Sequence, residues 1–141
     1  MLETPATTRP NLKRAAAVAR YTTLLLLIAM FLATHLPLPF TMTSPLPLPY
    51  GDKVLHAIAY MALALSSLIS WELTSGLLQP QHYFAVWLLG TLYGAFDEVT
   101  QIPVGRTPDG TDWLSDILGL VLGLTLFRIT RPWLDRFHSV P

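Results

Sequence analysis

The sequence predicts an all-α membrane protein, a bundle of about four transmembrane helices with both termini cytoplasmic. Three observations carry that prediction. Of 141 residues, 52% are hydrophobic and only 13% charged, whereas soluble domains carry roughly 25% charged residues; a surface so poor in charge needs lipid to cover it. Apolar runs of span length recur along the chain, separated by short polar breaks. The charges are also segregated. Seven of the nine basic residues lie near the termini (Arg9, Lys13, Arg14, Arg20, Arg128, Arg131 and Arg136), and seven of the nine acids lie between residues 52 and 116, six of them (Asp52, Asp97, Glu98, Asp109, Asp112 and Asp116) assigned to one membrane face and Glu72 to the other.

The elements follow in order. Residues 1–19 are polar to mildly basic and read as a cytoplasmic tail. From Arg20 an apolar run reaches Leu36, near the 20-residue length a span needs. A basic flank before a Leu-rich core also describes a signal peptide, but further spans follow and no clean A-x-A site is visible, so the first helix is expected to be retained. Residues 37–50 hold five prolines, which lack an amide hydrogen and disfavour helix in the preceding residue, so this is an extended connector. The second span runs from Asp52 to Trp71 and the third from Tyr83 to Gln101, with its acids in the last turns. A Gly/Pro/Asp loop, Ile102 to Gly110, precedes the fourth, which must extend from Asp109 to Ile129 to reach about 31 Å. Pro132 is expected to stop it, leaving 131–141 as a second cytoplasmic tail. The membrane domain is therefore 20–130.

Orientation follows from the basic residues, which favour the cytoplasmic side. Seven lie at the ends of the chain, and the two loops assigned to the outer face carry only Lys53 and Arg106. Glu72 and the terminal arginines read as topology determinants, and His35, His82 and His138 as interfacial or solvated.

That topology brings three separated pieces to the outer face. The second helix enters there with Asp52, Lys53, His56 and Tyr60; the third leaves with Asp97, Glu98 and Gln101; the loop and fourth helix supply Arg106, Asp109, Asp112 and Asp116. Asp52, His56 and Tyr60 are spaced i, i+4, i+8 and share one helix stripe. Gly90, Gly94 and Glu98 form a second row, and Asp112, Asp116, Gly119 and Gly123 a third. Small residues let helices approach closely in lipid, so the four glycines mark packing faces, and the acids point into the bundle. Buried acids in a span need a reason. Crowding them opposes their simultaneous ionisation, so the cluster holds protons or a cation. Oxygen-rich sites suit a divalent cation, for which Asp97, Glu98, Asp112 and Asp116 are the candidate ligands, although no standard metal spacing is present.

Other classes recede. Net charge is zero and no basic stripe is present, which argues against a nucleic-acid partner. The absence of cysteine excludes disulfides, thiolate metal sites and cysteine nucleophiles. No nucleophile motif or phosphate-binding glycine loop is visible.

Taken together, Asp52-Lys53-x-x-His56-x-x-x-Tyr60, Tyr93-Gly94-x-x-Asp97-Glu98-x-x-Gln101, Gly105-Arg106, Asp109, Asp112, Asp116, Gly119 and Gly123 resemble the VanZ-like family of small bacterial membrane proteins. The resemblance covers residues 50–123. Two departures stand out: the family often reads Pro-Gly-Arg in the outer loop, where here Val104 separates Pro103 from Gly105, and often places Asn where Asp116 stands. The family is associated with low-level resistance to glycopeptides such as teicoplanin, which act on wall precursors at the outer membrane surface. The resemblance implies a bacterial inner-membrane protein of the cell envelope whose partners are membrane lipid or a lipid-linked envelope precursor. Arg106 and Lys53 would contact an anion, and His56 would accept a proton. Two alternatives stay open, a cation-dependent intramembrane enzyme acting on a lipid-linked phosphate and a structural protein whose polar cluster locks helices together.

Overall fold

The computed structural model describes residues 8–36 and 50–138. Four long α-helices carry the fold: α1 Thr8–His35, α2 Gly51–Ser75, α3 Pro80–Thr100 and α4 Gly110–His138, with a short 3-10 turn at Ile102–Val104. No strand occurs among the described residues. The expected Pro-rich connector lies outside them, apart from Tyr50. That residue adopts a left-handed conformation, φ 62°, immediately before α2, a strained setting for a bulky side chain.

Neighbouring helices run in opposite directions. Tyr83 of α3 meets Phe127 of α4 edge-on at one end, and Glu98 accepts a hydrogen bond from the Asp109 amide at the other. Between them Gly90 lies against Leu120 and Gly94 against Trp113. The carboxyl ends of α1 and α3 therefore gather with the amino ends of α2 and α4. We term this the polar end; the basic end lies opposite.

Three helices are long and apolar enough to cross a membrane: Leu12–His35, Gly51–Ser75 and Gly110–Pro132. The third expected span is the exception. α3 begins with Pro80, Gln81 and His82 and ends in Asp97 and Glu98, which dilute its apolar middle. At 21 residues it is still about 31 Å long, and it lies beside α4 along that length.

Two expected boundaries need correction. α1 begins at Thr8, not near Arg20, because the stretch judged a tail by its polarity is rich in alanine, lysine and arginine, all good helix formers. α4 does not stop at Pro132 but continues to His138. A proline removes only its own amide from the ladder, and membrane helices tolerate such gaps where neighbours compensate the freed carbonyl. The tails expected at residues 1–7 and 139–141 lie outside the described residues.

α2 is the central helix. Leu63, Ala64 and Leu68 pack with Leu120 and Phe127 of α4 and Val86 of α3. The α2–α4 contact is the closest because α4 offers glycines there. A Cβ on Gly119 would land on the Ala57 carbonyl oxygen, and one on Gly123 would come within 2.7 Å of the Met61 carbonyl oxygen. The outer faces are apolar instead: Leu24, Leu25 and Ile28 of α1, Leu89, Leu92 and Phe96 of α3, and Leu114, Leu118 and Leu122 of α4 are all exposed. In water this much apolar surface would drive association; in a bilayer it faces its natural solvent.

Candidate functional site

At the polar end every helix contributes ionisable or hydrogen-bonding side chains. The α3–α4 loop is shaped first. Gln101 begins the 3-10 turn, its carbonyl accepts from the amides of Val104 and Arg106, and Gly105 takes φ 79° to close it. Asp109 then caps α4. Its Oδ1 accepts from the Thr111 amide at 2.8 Å and the Thr111 hydroxyl at 2.7 Å, satisfying an amide that the first helical turn leaves without a partner. These bonds, assisted by Lys53, hold the Asp109 carboxyl down at about 2.

Lys53 is the hub of the outermost layer. Its Nζ donates to Asp112 at 2.7 Å, Asp109 at 3.0 Å and Asp52 at 3.2 Å. One ammonium thus ties the first turns of α2 and α4 and matches its three donors to three carboxylates.

His56 and Asp116 form the layer beneath. Asp116 is 1% exposed, and its Oδ1 lies 2.8 Å from His56 Nδ1. With Asp116 ionised, Nδ1 carries the proton and Nε2 is left as an acceptor, 4.0 Å from Asp112 Oδ2. The other Asp116 oxygen lies over Gly94, as does the buried Tyr60 hydroxyl: a Cβ there would come within 3.0 Å of Asp116 Oδ2 and 3.2 Å of Tyr60 Oη. Glycine at 94 is what lets these polar tips meet α3.

Asp97, 4% exposed, anchors a third group and draws in α1. It accepts from the Thr34 hydroxyl at 2.9 Å and from Gln101 Nε2 at 3.2 Å. His35 Nδ1 stands 3.7 Å away; its ring stacks on Phe31, and Nε2 lies 3.0 Å from the Thr100 hydroxyl. Glu98, 7% exposed, turns to the loop, its Oε2 accepting from the Asp109 amide at 2.7 Å.

The structure thus gathers Asp52, Lys53, His56, Tyr60, Asp97, Glu98, Gln101, Asp109, Asp112 and Asp116 at one end. Arg106 stays apart, half-buried in the loop and without a side-chain hydrogen bond or ion pair among the described residues. The four candidate cation ligands are engaged separately: Asp97 with α1, Glu98 with the loop, Asp112 with Lys53 and Asp116 with His56. No group of three His, Asp or Glu side chains among the described residues is arranged to hold a metal ion.

The part that α1 plays in the network is not evident from sequence. Thr34 and His35 close the network on its fourth side, whereas sequence alone makes His35 interfacial or solvated. The available signal was position, since His35 ends the first apolar run at the polar end. At the basic end Glu72 and His82 are also more than surface markers. Glu72 accepts from Arg131 Nε at 2.8 Å, and His82 completes the capping of α3 through the Gln79 amide at 2.8 Å while its ring lies 4.7 Å from that of Trp71.

Comparison with known proteins adds one finding. The model of a protein family described as VanZ/LLP1 matches residues 3–131, nearly the whole chain. No curated protein and no solved structure matches.

Proposed function

The chain belongs to the VanZ/LLP1 family, and on that premise we propose that it acts at the bacterial cell envelope by engaging the head group of a lipid or a lipid-linked wall precursor at its polar end. The helices carry it through the inner membrane with both termini cytoplasmic, so the polar end faces outward, where glycopeptides meet their targets; the association of VanZ-like proteins with teicoplanin resistance fits that placement. The observation behind this reading is that Asp97, Glu98 and Asp116 are buried inside the bundle beneath a layer of Lys53 and its carboxylates. Burying three acids in a membrane helix bundle is costly and marks them as candidates for function. Arg106 from the loop is the cation for an anionic head group, and Lys53 joins it by exchanging one of its three carboxylates; the carboxylates accept from its hydroxyl or amine groups.

The test is what copurifies. Full-length protein extracted in detergent is analysed for bound lipids and metals beside Asp97→Asn and Glu98→Gln. A polar lipid or precursor enriched with the wild type and lost from the variants supports the reading. Equal lipid profiles across all three would overturn it.

A second reading rests on the His56–Asp116 pair. A buried carboxylate that orients a histidine and leaves Nε2 free is an arrangement suited to general base chemistry, as in hydrolysis of a lipid-linked phosphate. Turnover of such a substrate by the wild type and not by His56→Gln would favour it over simple binding.

A further inference from the structure

The basic end holds an open pocket of about 370 Å³, lined by Leu78, Pro80, Tyr83, Arg128, Arg131 and Pro132. The α2–α3 turn and the first turn of α3 form one wall and the late turns of α4 the other. Its volume falls within the ~300–1,000 Å³ usual for small-molecule sites. Its electrostatics are the reverse of those at the polar end. No acid lines it. Glu72 engages Arg131 through Nε, so the terminal nitrogens of that guanidinium have no protein acceptor among the described residues, and Arg128 has no ion pair among them. The amino end of α3 opens on the same space and adds positive potential. Leu78, Pro80 and Pro132 make the remaining wall apolar, and the neighbouring Phe84 and Ile129 face the lipid.

We propose that this pocket binds a phosphate group, held by Arg128 and the free edge of Arg131. A guanidinium presents paired N–H donors that match two phosphate oxygens, and Glu72 holds Arg131, itself a lining residue, through Nε. Tyr83, whose ring lies edge-on to Phe127, lines the same space. The apolar wall suits the glycerol and first methylenes of a phospholipid. The site is distinct from the polar-end cluster and stands or falls independently of it.

The full chain in detergent is offered phosphatidylglycerol, diacylglycerol or inorganic phosphate, and bound ligand is counted by native mass spectrometry. Phosphatidylglycerol is expected to remain bound and diacylglycerol to be lost. Arg128→Gln, an exposed position whose loss does not threaten folding, should weaken phosphatidylglycerol binding about tenfold or more, a difference of about 1.4 kcal/mol. Lys13→Gln removes one exposed positive charge from α1 at the same end and should leave binding unchanged. Displacement of the lipid by inorganic phosphate identifies free phosphate as a sufficient ligand; resistance to displacement assigns the site to the lipid. Equal retention of diacylglycerol and phosphatidylglycerol, or an unaltered Arg128→Gln, would overturn the proposal. So would a loss in Lys13→Gln as large as in Arg128→Gln, since that would mark diffuse charge attraction.

Discussion

The two ends of the bundle handle charge in opposite ways. At the polar end Lys53 is enclosed by three carboxylates, His56 is held by Asp116, and Asp97 is bonded to α1. At the basic end one ion pair, Glu72 with Arg131, joins α2 to α4, and Arg128 stands beside an open pocket. Both ends are stitched by α2 and α4, so stitching alone does not explain their difference. Among the described residues the basic end does this with one ion pair. The polar end adds three buried acids, Asp97, Glu98 and Asp116, and they are the part of the molecule that calls for a function.

Substitutions at each end test that contrast. The largest effect is expected at the scaffold both ends share. Gly119→Leu drives a side chain into the Ala57 carbonyl; overpacking of this kind costs about 1–3 kcal/mol or more, and a backbone neighbour cannot move aside. Folded yield in detergent should collapse, while Gly110→Ala, with nothing within 4 Å of its added Cβ, should fold normally. An undisturbed Gly119→Leu would mean that α2 and α4 are not held this closely.

Next comes Asp116. Replacement by leucine leaves His56 without its partner in a buried setting, at a cost of about 1–3 kcal/mol, whereas Asp116→Asn keeps a polar acceptor beside Nδ1. Thermal unfolding in detergent should place Asp116→Asn well above Asp116→Leu. Coincident melting curves would remove Asp116 from the coupled network.

Isosteric neutralisation then separates a site from a lock. Asp97→Asn and Glu98→Gln retain shape and most hydrogen bonding, and interhelical hydrogen bonds in membranes average only about 0.6 kcal/mol. Near-wild-type melting with loss of the copurified ligand is expected of both. If melting and ligand fall together, the polar end is a structural lock like its counterpart. Glu72→Gln supplies the comparison at the basic end. From sequence it reads as silent; with its bond to Arg131 it should lower stability slightly, by at most about 1 kcal/mol, without changing the ligand at the polar end.

The smallest effect is a pH dependence. Asp109 has its pKa depressed to about 2 in the folded chain, against about 3.9 when unfolded. The folded state thus binds that proton less readily than the unfolded state, and the capping contribution is present above pH 4 and fades as pH falls toward 2. The melting temperature of Asp109→Ala should lie slightly below that of the wild type near neutral pH and converge with it in acid. A constant offset across that range would assign the difference to helix geometry and not to the carboxylate.

How much of this was legible in the sequence depends on the scale of the signal. Helix number and order followed from apolar runs, and the assembly of Asp52, His56, Asp97 and Asp116 at one end followed from their position at helix ends. Boundaries followed less well. Polarity hid the helicity of residues 8–19, and a proline rule suited to soluble helices misplaced the end of α4. Side-chain partners were not legible at all. Nothing local distinguishes Thr34, which bonds to Asp97, from Thr22 or Thr23, and nothing marks Arg106 as the cation left outside while Lys53 collects three carboxylates. Such pairings depend on rotation about helix axes and on loop shape, which long-range packing decides.

The bond between His56 and Asp116 joins residues 60 apart in the chain, and that between Lys53 and Asp112 residues 59 apart. The ribosome thus delivers α2 to the membrane well before the partners of its polar residues have been made. During that interval Lys53 and His56 have no carboxylate from α4, and insertion of charged residues is unfavourable by up to about 2.5–3.5 kcal/mol each when deep in the bilayer. An incomplete chain is therefore chemically distinguishable from a finished one, by unquenched polarity on the very helix that later becomes its centre. Arrival of α4 completes the cluster and supplies the carboxylates that Lys53 and His56 lack until then.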